Sequence, residues 1–316
     1  MRPQTVILTV LAVLLISAVS GCQYLKKRVV KKEKIEYKLN AAGKIRIEID
    51  NSVGNVDIVT ADDSLSMIYL IAEKTDRVRI NDQDKPIDGI EIKIDSSGNV
   101  IKVDTELKHF GTFLGDKSNA SVNYILKIPA KFQLYVTVTV GNINARNVIS
   151  DSKFETVNGS IYMNNCSGNL NIKTVNGSIK ANVDSTKGIT AETTNGSISF
   201  GNLKFVNANV DASCTNGKVK YNNINFTSVS TEKKNLSGKL GTGGNMLKLT
   251  TVNGSITLDG NYISINNKEH QDFNIKFDFD DEDEPVKINV NDEDKKYEIM
   301  ENNTDSNKIK ENPKVK

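Results

Sequence analysis

The stretch KTVNGSI, residues 173–179, recurs along this 316-residue sequence almost unchanged. TVNGSI also stands at 156–161 and 251–256, and TTNGSI stands at 193–198. Asn-Gly is typical of tight turns, because both residues accept a positive φ. Aliphatic residues alternate with polar ones before and after each Asn-Gly pair, which indicates a short β-strand on either side of a corner.

The spacing of these corners favours one architecture. Aligned on the turn glycine, six units follow one another at intervals of 18, 19, 21, 21 and 16 residues. Such a nearly constant interval is typical of a solenoid, in which each repeat is one coil stacked on the next. The turn residues are Asn158, Gly159, Asn176, Gly177, Asn195, Gly196, Asn216, Gly217, Gly238, Asn253 and Gly254.

Side-chain parity supports the same interpretation. Leu170, Ile172 and Thr174 alternate on even numbers, whereas Ile179 and Ala181 alternate on odd numbers. The phase therefore changes across the Asn-Gly pair, as it does at a corner that keeps the apolar face inward. We predict an all-β fold with a parallel β-solenoid and an outer ladder of turn asparagines. An antiparallel meander or sandwich is the alternative, because Asn-Gly is also a common hairpin turn.

Composition divides the remainder of the chain. Alternating strands such as KIRIEID (44–50) precede the repeats, and an acidic run, DFDDEDE (278–284), follows them. The predicted organisation is a signal peptide at 1–21, a basic linker at 22–38, an N-terminal β region at 39–133, the solenoid at 134–260, a C-terminal capping β and acidic segment at 261–300, and a disordered tail at 301–316.

The N-terminus has the layout of an export signal. Arg2 precedes an apolar run at 6–19, and the small residues Ser20 and Gly21 precede Cys22. This arrangement resembles the lipobox of bacterial lipoproteins, which implies cleavage before Cys22 and attachment of acyl chains such as palmitate to its thiol. The run of 14 residues is too short to span a bilayer. We expect a protein lipid-anchored to the cell membrane on its extracytoplasmic side. An ordinary signal peptide is the alternative.

The segment 121–179 resembles the bacterial DUF4097 family, whose members are β-strand repeat proteins proposed as adhesins. The resemblance rests on a strand ending in Ile128-Pro129, a VGNI turn at 140–143, and the iterated T-x-N-G-S-I units. It covers about residues 38–260 and implies an all-β repeat fold on exported or envelope-anchored proteins. No catalytic motif comes with it. The lipobox and the acidic C-terminal segment are not features of the family.

Catalytic and metal-binding patterns are weak. Asp184, Glu192 and Asp211 occupy unlike positions in the repeat, so the converging carboxylates of a polysaccharide-active enzyme are not indicated. The acidic run 278–284 lacks the Asp-x-Asp-x-Asp-Gly spacing of a calcium loop. The balance of 41 Lys and Arg against 39 Asp and Glu gives no basic field for nucleic acid. We therefore expect no enzyme activity, no cofactor, no metal and no nucleic-acid partner.

Two further features carry weaker expectations. His109, Phe110 and Phe113 lie in a segment, 104–120, that breaks the strand pattern, so they either contact a partner or fold back onto the domain. Cys166 and Cys214 fit no metal spacing and are expected as buried free thiols, although an exported protein could pair them.

These features favour a lipid-anchored, non-catalytic binding or structural module of the bacterial cell envelope. Its partner would be an unidentified envelope protein or glycan. A membrane-anchored accessory of an envelope-stress response is the second hypothesis, and a polysaccharide-active β-helix enzyme is the third.

Overall fold

The structure is a computed structural model that describes residues 28–61, 65–108 and 120–265, together with the short strands at 276–277, 288–289 and 298–299. Within these ranges, no helix combines the length and apolar character needed to cross a membrane. The predicted signal peptide at 1–21, Cys22 and the tail at 301–316 lie outside the described residues.

The regular secondary structure of the described residues is almost entirely β-strand. In chain order the strands are β1 (Arg28–Asn40), β2 (Arg46–Val53), β3 (Val56–Ala61), β4 (Met67–Arg79), β5 (Ile90–Asp95), β6 (Val100–Leu107), β7 (Ser121–Pro129), β8 (Gln133–Val140), β9 (Ile143–Arg146), β10 (Ser152–Asn158), β11 (Ile161–Cys166), β12 (Asn169–Asn176), β13 (Ile179–Val183), β14 (Gly188–Asn195), β15 (Ile198–Gly201), β16 (Ala208–Asn216), β17 (Val219–Asn222), β18 (Phe226–Thr231), β19 (Asn235–Leu240), β20 (Met246–Asn253), β21 (Ile256–Asp259), β22 (Lys276–Phe277), β23 (Ile288–Asn289) and β24 (Glu298–Ile299). Short 3-10 turns stand at Ile80–Asp82 and Leu203–Phe205.

Two 11-stranded sheets face each other across one core. The first sheet has the order β17-β21-β15-β13-β11-β9-β3-β7-β4-β1-β24, and the second has the order β18-β19-β16-β20-β14-β12-β10-β8-β2-β6-β5. Each repeat is a coil that gives one strand to the second sheet, turns at the Asn-Gly corner, and gives the next strand to the first sheet. Neighbouring coils pair in parallel, so the predicted solenoid is confirmed and the antiparallel meander is wrong for the repeats.

Equivalent side chains stack from coil to coil and fill the space between the sheets. In the first sheet, Ile161, Ile179, Ile198 and Ile256 pair in consecutive register and are fully buried. Because these aliphatic side chains alternate with outward polar ones, each coil buries its apolar face only when another coil covers it. The two interior cysteines, Cys166 and Cys214, are buried free thiols in this core.

The last coils do not follow chain order. The coil β20–β21 lies between the coils β14–β15 and β16–β17 in both sheets. The intervening hairpin β18–β19 pairs antiparallel with β16 through β19. The expectation that Gly238 marks a sixth corner is therefore wrong, because Gly238 lies within β19 opposite Val210.

The basic segment is not a linker throughout. From Arg28 onward it forms β1, which pairs antiparallel with β4 over all thirteen residues. Lys31 and Glu33, 3.0 Å apart, and Lys34 and Glu36, 2.9 Å apart, form ion pairs along this strand. The predicted linker at 22–38 is thus wrong from Arg28 onward.

The predicted boundary between 133 and 134 does not separate two units. β2 and β3 form a coil whose strands pair in parallel with β8 and β9, so the stack begins well before residue 134. Most of the predicted cap at 261–300 lies outside the described residues, and its strand β24 pairs with β1, at the opposite end of the first sheet from β17.

Candidate binding surface at the Asn-Gly corner

At four of the five Asn-Gly corners, a threonine stands two residues before the asparagine at the end of the second-sheet strand. The hydroxyls of Thr156, Thr174, Thr193 and Thr251 are buried, and each donates to the carbonyl of the turn glycine in the preceding coil at 2.8 to 2.9 Å. A buried carbonyl without a partner would cost free energy, so this contact explains the residue type. Cys214 takes the threonine position in the coil β16–β17.

Glycine is required at the corner by crowding. A Cβ on Gly177 would lie 1.8 Å from the carbonyl oxygen of Gly159, and one on Gly196 would lie 1.9 Å from that of Gly177. The predicted positive φ is wrong for the Asn-Gly units, since none of their glycines lies in the left-handed region. Only Gly54 and Gly141, in the two earlier coils, have such a φ at this corner. The repeated glycine therefore sets how closely two coils approach.

The five turn asparagines form one continuous ladder. The side-chain amide of each donates to the side-chain oxygen of the next along the stack at 2.8 Å, in the order Asn216, Asn253, Asn195, Asn176 and Asn158. All five side chains are exposed. An Asn amide has two N–H groups and two acceptor lone pairs. Each interior member therefore keeps one donor and one acceptor position for a ligand.

A second polar column lies beside the ladder, and sequence reasoning missed it. The residue after each turn glycine donates its N–H to the side chain of its counterpart in the preceding coil, as Ser178 does to Ser160 at 3.0 Å. In the earlier coils Asn55 and Asn142 provide the accepting oxygen. The sequence signal was the shortened turns VGNV (53–56) and VGNI (140–143).

The ladder stops where the residue type changes. Asn158 pairs in register with Val140, which in turn pairs with Val53, so the earlier corners present valines. Val157 and Val252, each beside a ladder asparagine, are about 40% exposed. The corner thus presents a row of amides bordered by small apolar side chains.

Within the described part of the chain, the Cys, Asp and Glu side chains form no group of three or more that could hold a metal ion. Asp184 is engaged by Asn202 at 2.9 Å and by the hydroxyl of Tyr262 at 3.2 Å. An open depression of about 770 Å³ on the outer face of the second sheet contains Asp211 as its single carboxylate, whereas glycoside hydrolysis uses two.

Several predicted residues cannot be placed. Cys22, His109, Phe110 and Phe113 all lie outside the described residues. Lipidation of Cys22 and a partner contact through His109, Phe110 and Phe113 therefore stay predictions. The predicted start of their segment at residue 104 is wrong, because residues 104–107 belong to β6.

The fold and the corner define a class: an all-β protein of parallel stacked coils carrying an exposed amide ladder. The chain belongs to the DUF4097 family, described as Toastrack, whose model matches residues 31–259. No curated protein matches the sequence.

Solved structures similar to this chain come from several bacteria. A proposed cell adhesion protein from Clostridium sporogenes is 14% identical with a TM-score of 0.36, and the match covers 74% of this chain and 99% of that one. A proposed adhesin from Bacteroides fragilis is 12% identical with a TM-score of 0.34, covering 74% and 97%. A proposed lipid-binding protein from Parabacteroides distasonis is 10% identical with a TM-score of 0.23, covering 72% and 96%.

Proposed function

We propose that this protein is a lipid-anchored, extracytoplasmic, non-catalytic binding module of the bacterial cell envelope, and that the asparagine ladder binds a neutral glycan. The observation that carries the proposal is the row of five exposed amides joined at 2.8 Å. Each interior amide offers one remaining donor and one remaining acceptor, which is what sugar hydroxyl groups use.

The ladder suits a repetitive ligand for two reasons. Stacked strands lie about 4.8 Å apart, so the amides recur at a constant interval that a polymer can follow. Their side chains are also already ordered by one another, which lowers the entropy lost on binding. The adjacent exposed valines add apolar contact for the non-polar faces of a ligand.

The non-catalytic part of the proposal is supported by the spread of the carboxylates. Glu192 lies on the outer face of β14, Asp211 lies on β16, and Asp184 follows β13 and bonds to its neighbours. Acid–base hydrolysis needs two carboxyl groups at one bond, and these three side chains belong to different strands and different coils.

The anchoring part of the proposal has a geometric consequence. β1 begins at Arg28, six residues after Cys22, and an extended chain of that length reaches about 20 Å. If Cys22 carries acyl chains, the first strand lies close to the bilayer. The lysines of β1 then lie near anionic head groups.

Two experiments test the two parts separately. Metabolic labelling with a fatty-acid analogue should mark the wild-type chain and not Cys22→Ala, and an unlabelled wild type refutes the anchor. For the ligand, a glycan array is probed with wild type, with the double variant Asn176→Ala/Asn195→Ala, and with Asn171→Ala. Asn171 is an exposed asparagine on the outer face of β12, outside the ladder.

The expected result is glycan binding that the double variant weakens and Asn171→Ala leaves unchanged. Equal binding by all three proteins refutes the ladder as the contact surface. Absence of binding to any glycan, with capture of an envelope protein that depends on the ladder, would assign the same surface to a protein partner and refute the glycan.

A further inference from the structure

The five Asn-Gly pairs of the ladder differ in how their glycine N–H and asparagine side chain are hydrogen-bonded. In other respects they are alike, since all five asparagines are exposed and all are followed by glycine. Asn-Gly is also the dipeptide most prone to spontaneous deamidation, because the unhindered glycine nitrogen can attack the asparagine side chain. Whether attack occurs in the folded protein depends on whether that nitrogen and that side chain are held by hydrogen bonds.

Four of the pairs are held in this way. The N–H groups of Gly159, Gly177, Gly196 and Gly254 each donate to the backbone carbonyl of the asparagine in the next coil at 3.0 Å. The side-chain oxygen of each preceding asparagine also accepts an amide N–H from the next ladder member at 2.8 Å. Attack would require the glycine N–H to leave its acceptor and the asparagine side chain to rotate out of the ladder.

The fifth pair, Asn216-Gly217, ends the ladder. Its side-chain amide donates to Asn253. Within the described ranges, however, its side-chain oxygen accepts no hydrogen bond and the N–H of Gly217 donates none. The tip of the β18–β19 hairpin covers the flanking positions, because Cys214 N–H bonds to Lys234 and Val219 N–H bonds to Lys233. The hairpin thus passes over Gly217 without engaging its nitrogen.

We infer that Asn216 is a deamidation site, and that the rest of the ladder protects its four counterparts. The Gly217 nitrogen loses its proton and attacks Cγ of Asn216. A C–N bond forms, the bond from Cγ to the side-chain nitrogen breaks, and ammonia leaves with that proton. Water then opens the succinimide at either carbonyl, which leaves aspartate or isoaspartate at the end of the ladder. The new carboxylate cannot donate to Asn253, so the modification uncouples the terminal coil from the ladder.

Asn158 is the matched control within the same chain. It ends the ladder on the other side and, like Asn216, takes part in a single ladder bond. It differs in that Gly159 N–H is bonded to the next coil and that its side-chain oxygen is an acceptor. A difference between the two sites therefore reports the hydrogen bonds and not the end position.

The test is peptide mapping by mass spectrometry after incubation of the purified protein in mildly alkaline water enriched in ¹⁸O. In the native protein, deamidation at Asn216 should exceed that at each of the other four sites by about tenfold or more. That ratio corresponds to about 1.4 kcal/mol, the size of one protecting hydrogen bond. In urea the five rates should converge, since the dipeptide is the same.

A second readout assigns the product to this residue. In Asn216→Gln, the peptide that contains position 216 should show no isoaspartate above background, while the rates at the four protected sites stay unchanged. The inference would be overturned if, in the native protein, Asn158 deamidated as fast as Asn216, or if all five asparagines deamidated at the same rate. A preference for Asn216 that persists unchanged in urea would also overturn the inference, because that preference would then come from local sequence alone.

Discussion

Replacing Gly177 by alanine tests whether glycine sets the distance between coils. A Cβ at this position would lie 1.8 Å from the carbonyl oxygen of Gly159, whereas real Cβ contacts essentially never fall under 3.0 Å. The two coils must therefore separate by at least 1.2 Å at the corner. Bonds of 2.8 to 3.0 Å stretched that far no longer count as hydrogen bonds.

Five inter-coil bonds cross this corner. They join Thr174 to Gly159, Gly159 to Asn176, Asn176 to Asn158, Ile161 to Ser178, and Ser178 to Ser160. At about 1 kcal/mol each, their loss predicts a destabilisation of about 5 kcal/mol. The measurement is the urea midpoint, followed by circular dichroism, with an unchanged m-value to show that only stability has changed.

Gly98→Ala is the control for the conformational effect of glycine. Gly98 has a φ of 62° and no atom within 4 Å of an added Cβ, so the substitution carries only left-handed backbone strain of about 1 kcal/mol. If Gly177→Ala destabilises the protein no more than Gly98→Ala does, crowding at the corner is not what selects glycine.

Three further results are expected. Asn176→Ala removes two ladder bonds and should lower the free energy of unfolding by about 1 to 3 kcal/mol, whereas the exposed Asn171→Ala should change it by less than about 0.5 kcal/mol; equal losses would contradict a structural role for the ladder. Burial raises the pKa of the Cys166 thiol to about 12, so this group stabilises the fold at neutral pH and loses that contribution as the pH rises from about 9 towards 12. Native Cys166 should resist alkylation at pH 8 and react once urea unfolds the chain, and rapid native labelling would refute its burial. Burial also raises the pKa of Tyr124, whose hydroxyl lies 2.7 Å from that of Thr105. Thr105→Val should lower the free energy of unfolding by about 1 to 3 kcal/mol, measured by urea unfolding. An unchanged free energy would contradict this buried bond.

The repeat could be predicted because every unit must turn a corner and keep its apolar side chains facing inward. The change of side-chain parity across Asn176-Gly177 indicated a corner, and the nearly constant interval indicated stacking. The reason for glycine could not be predicted, since crowding by a neighbouring coil is a contact distant in sequence, while positive φ is a local preference of the same residue. Crowding and positive φ both select glycine, so the sequence alone does not distinguish them.

Two other errors have equally specific causes. The lysines of 26–34 suggested a solvated linker, but β1 forms here because it pairs with β4 along its whole length, a contact distant in sequence, while Lys31 and Lys34 each form an ion pair with a glutamate two residues on. Gly238 matched the interval by coincidence, because a hairpin inserted between two coils happens to have a similar length. The interval counts residues and cannot distinguish a coil from a hairpin.

The order of the coils could not be predicted for a related reason. The strands β14, β16 and β20 all end in Asn followed by Gly, with Thr or Cys two residues before the Asn. Their edges therefore offer the same hydrogen-bonding groups and similar apolar side chains. These matching edges give no local signal for which of the two later coils docks on β14–β15.

The out-of-order coil also constrains biogenesis. Once β8 and β9 have paired with β2 and β3, a chain that emerges from its N-terminus can add the coils β10–β11, β12–β13 and β14–β15 one after another as far as Gly201, because each pairs with the coil made just before it. Residues 208–222 cannot pair with the coil β20–β21, which lies beside them in the folded protein, until residue 259 has been synthesised. The last two coils can therefore pack on the stack only after residue 259 has been synthesised, and until then the apolar edge of the coil β14–β15 stays uncovered.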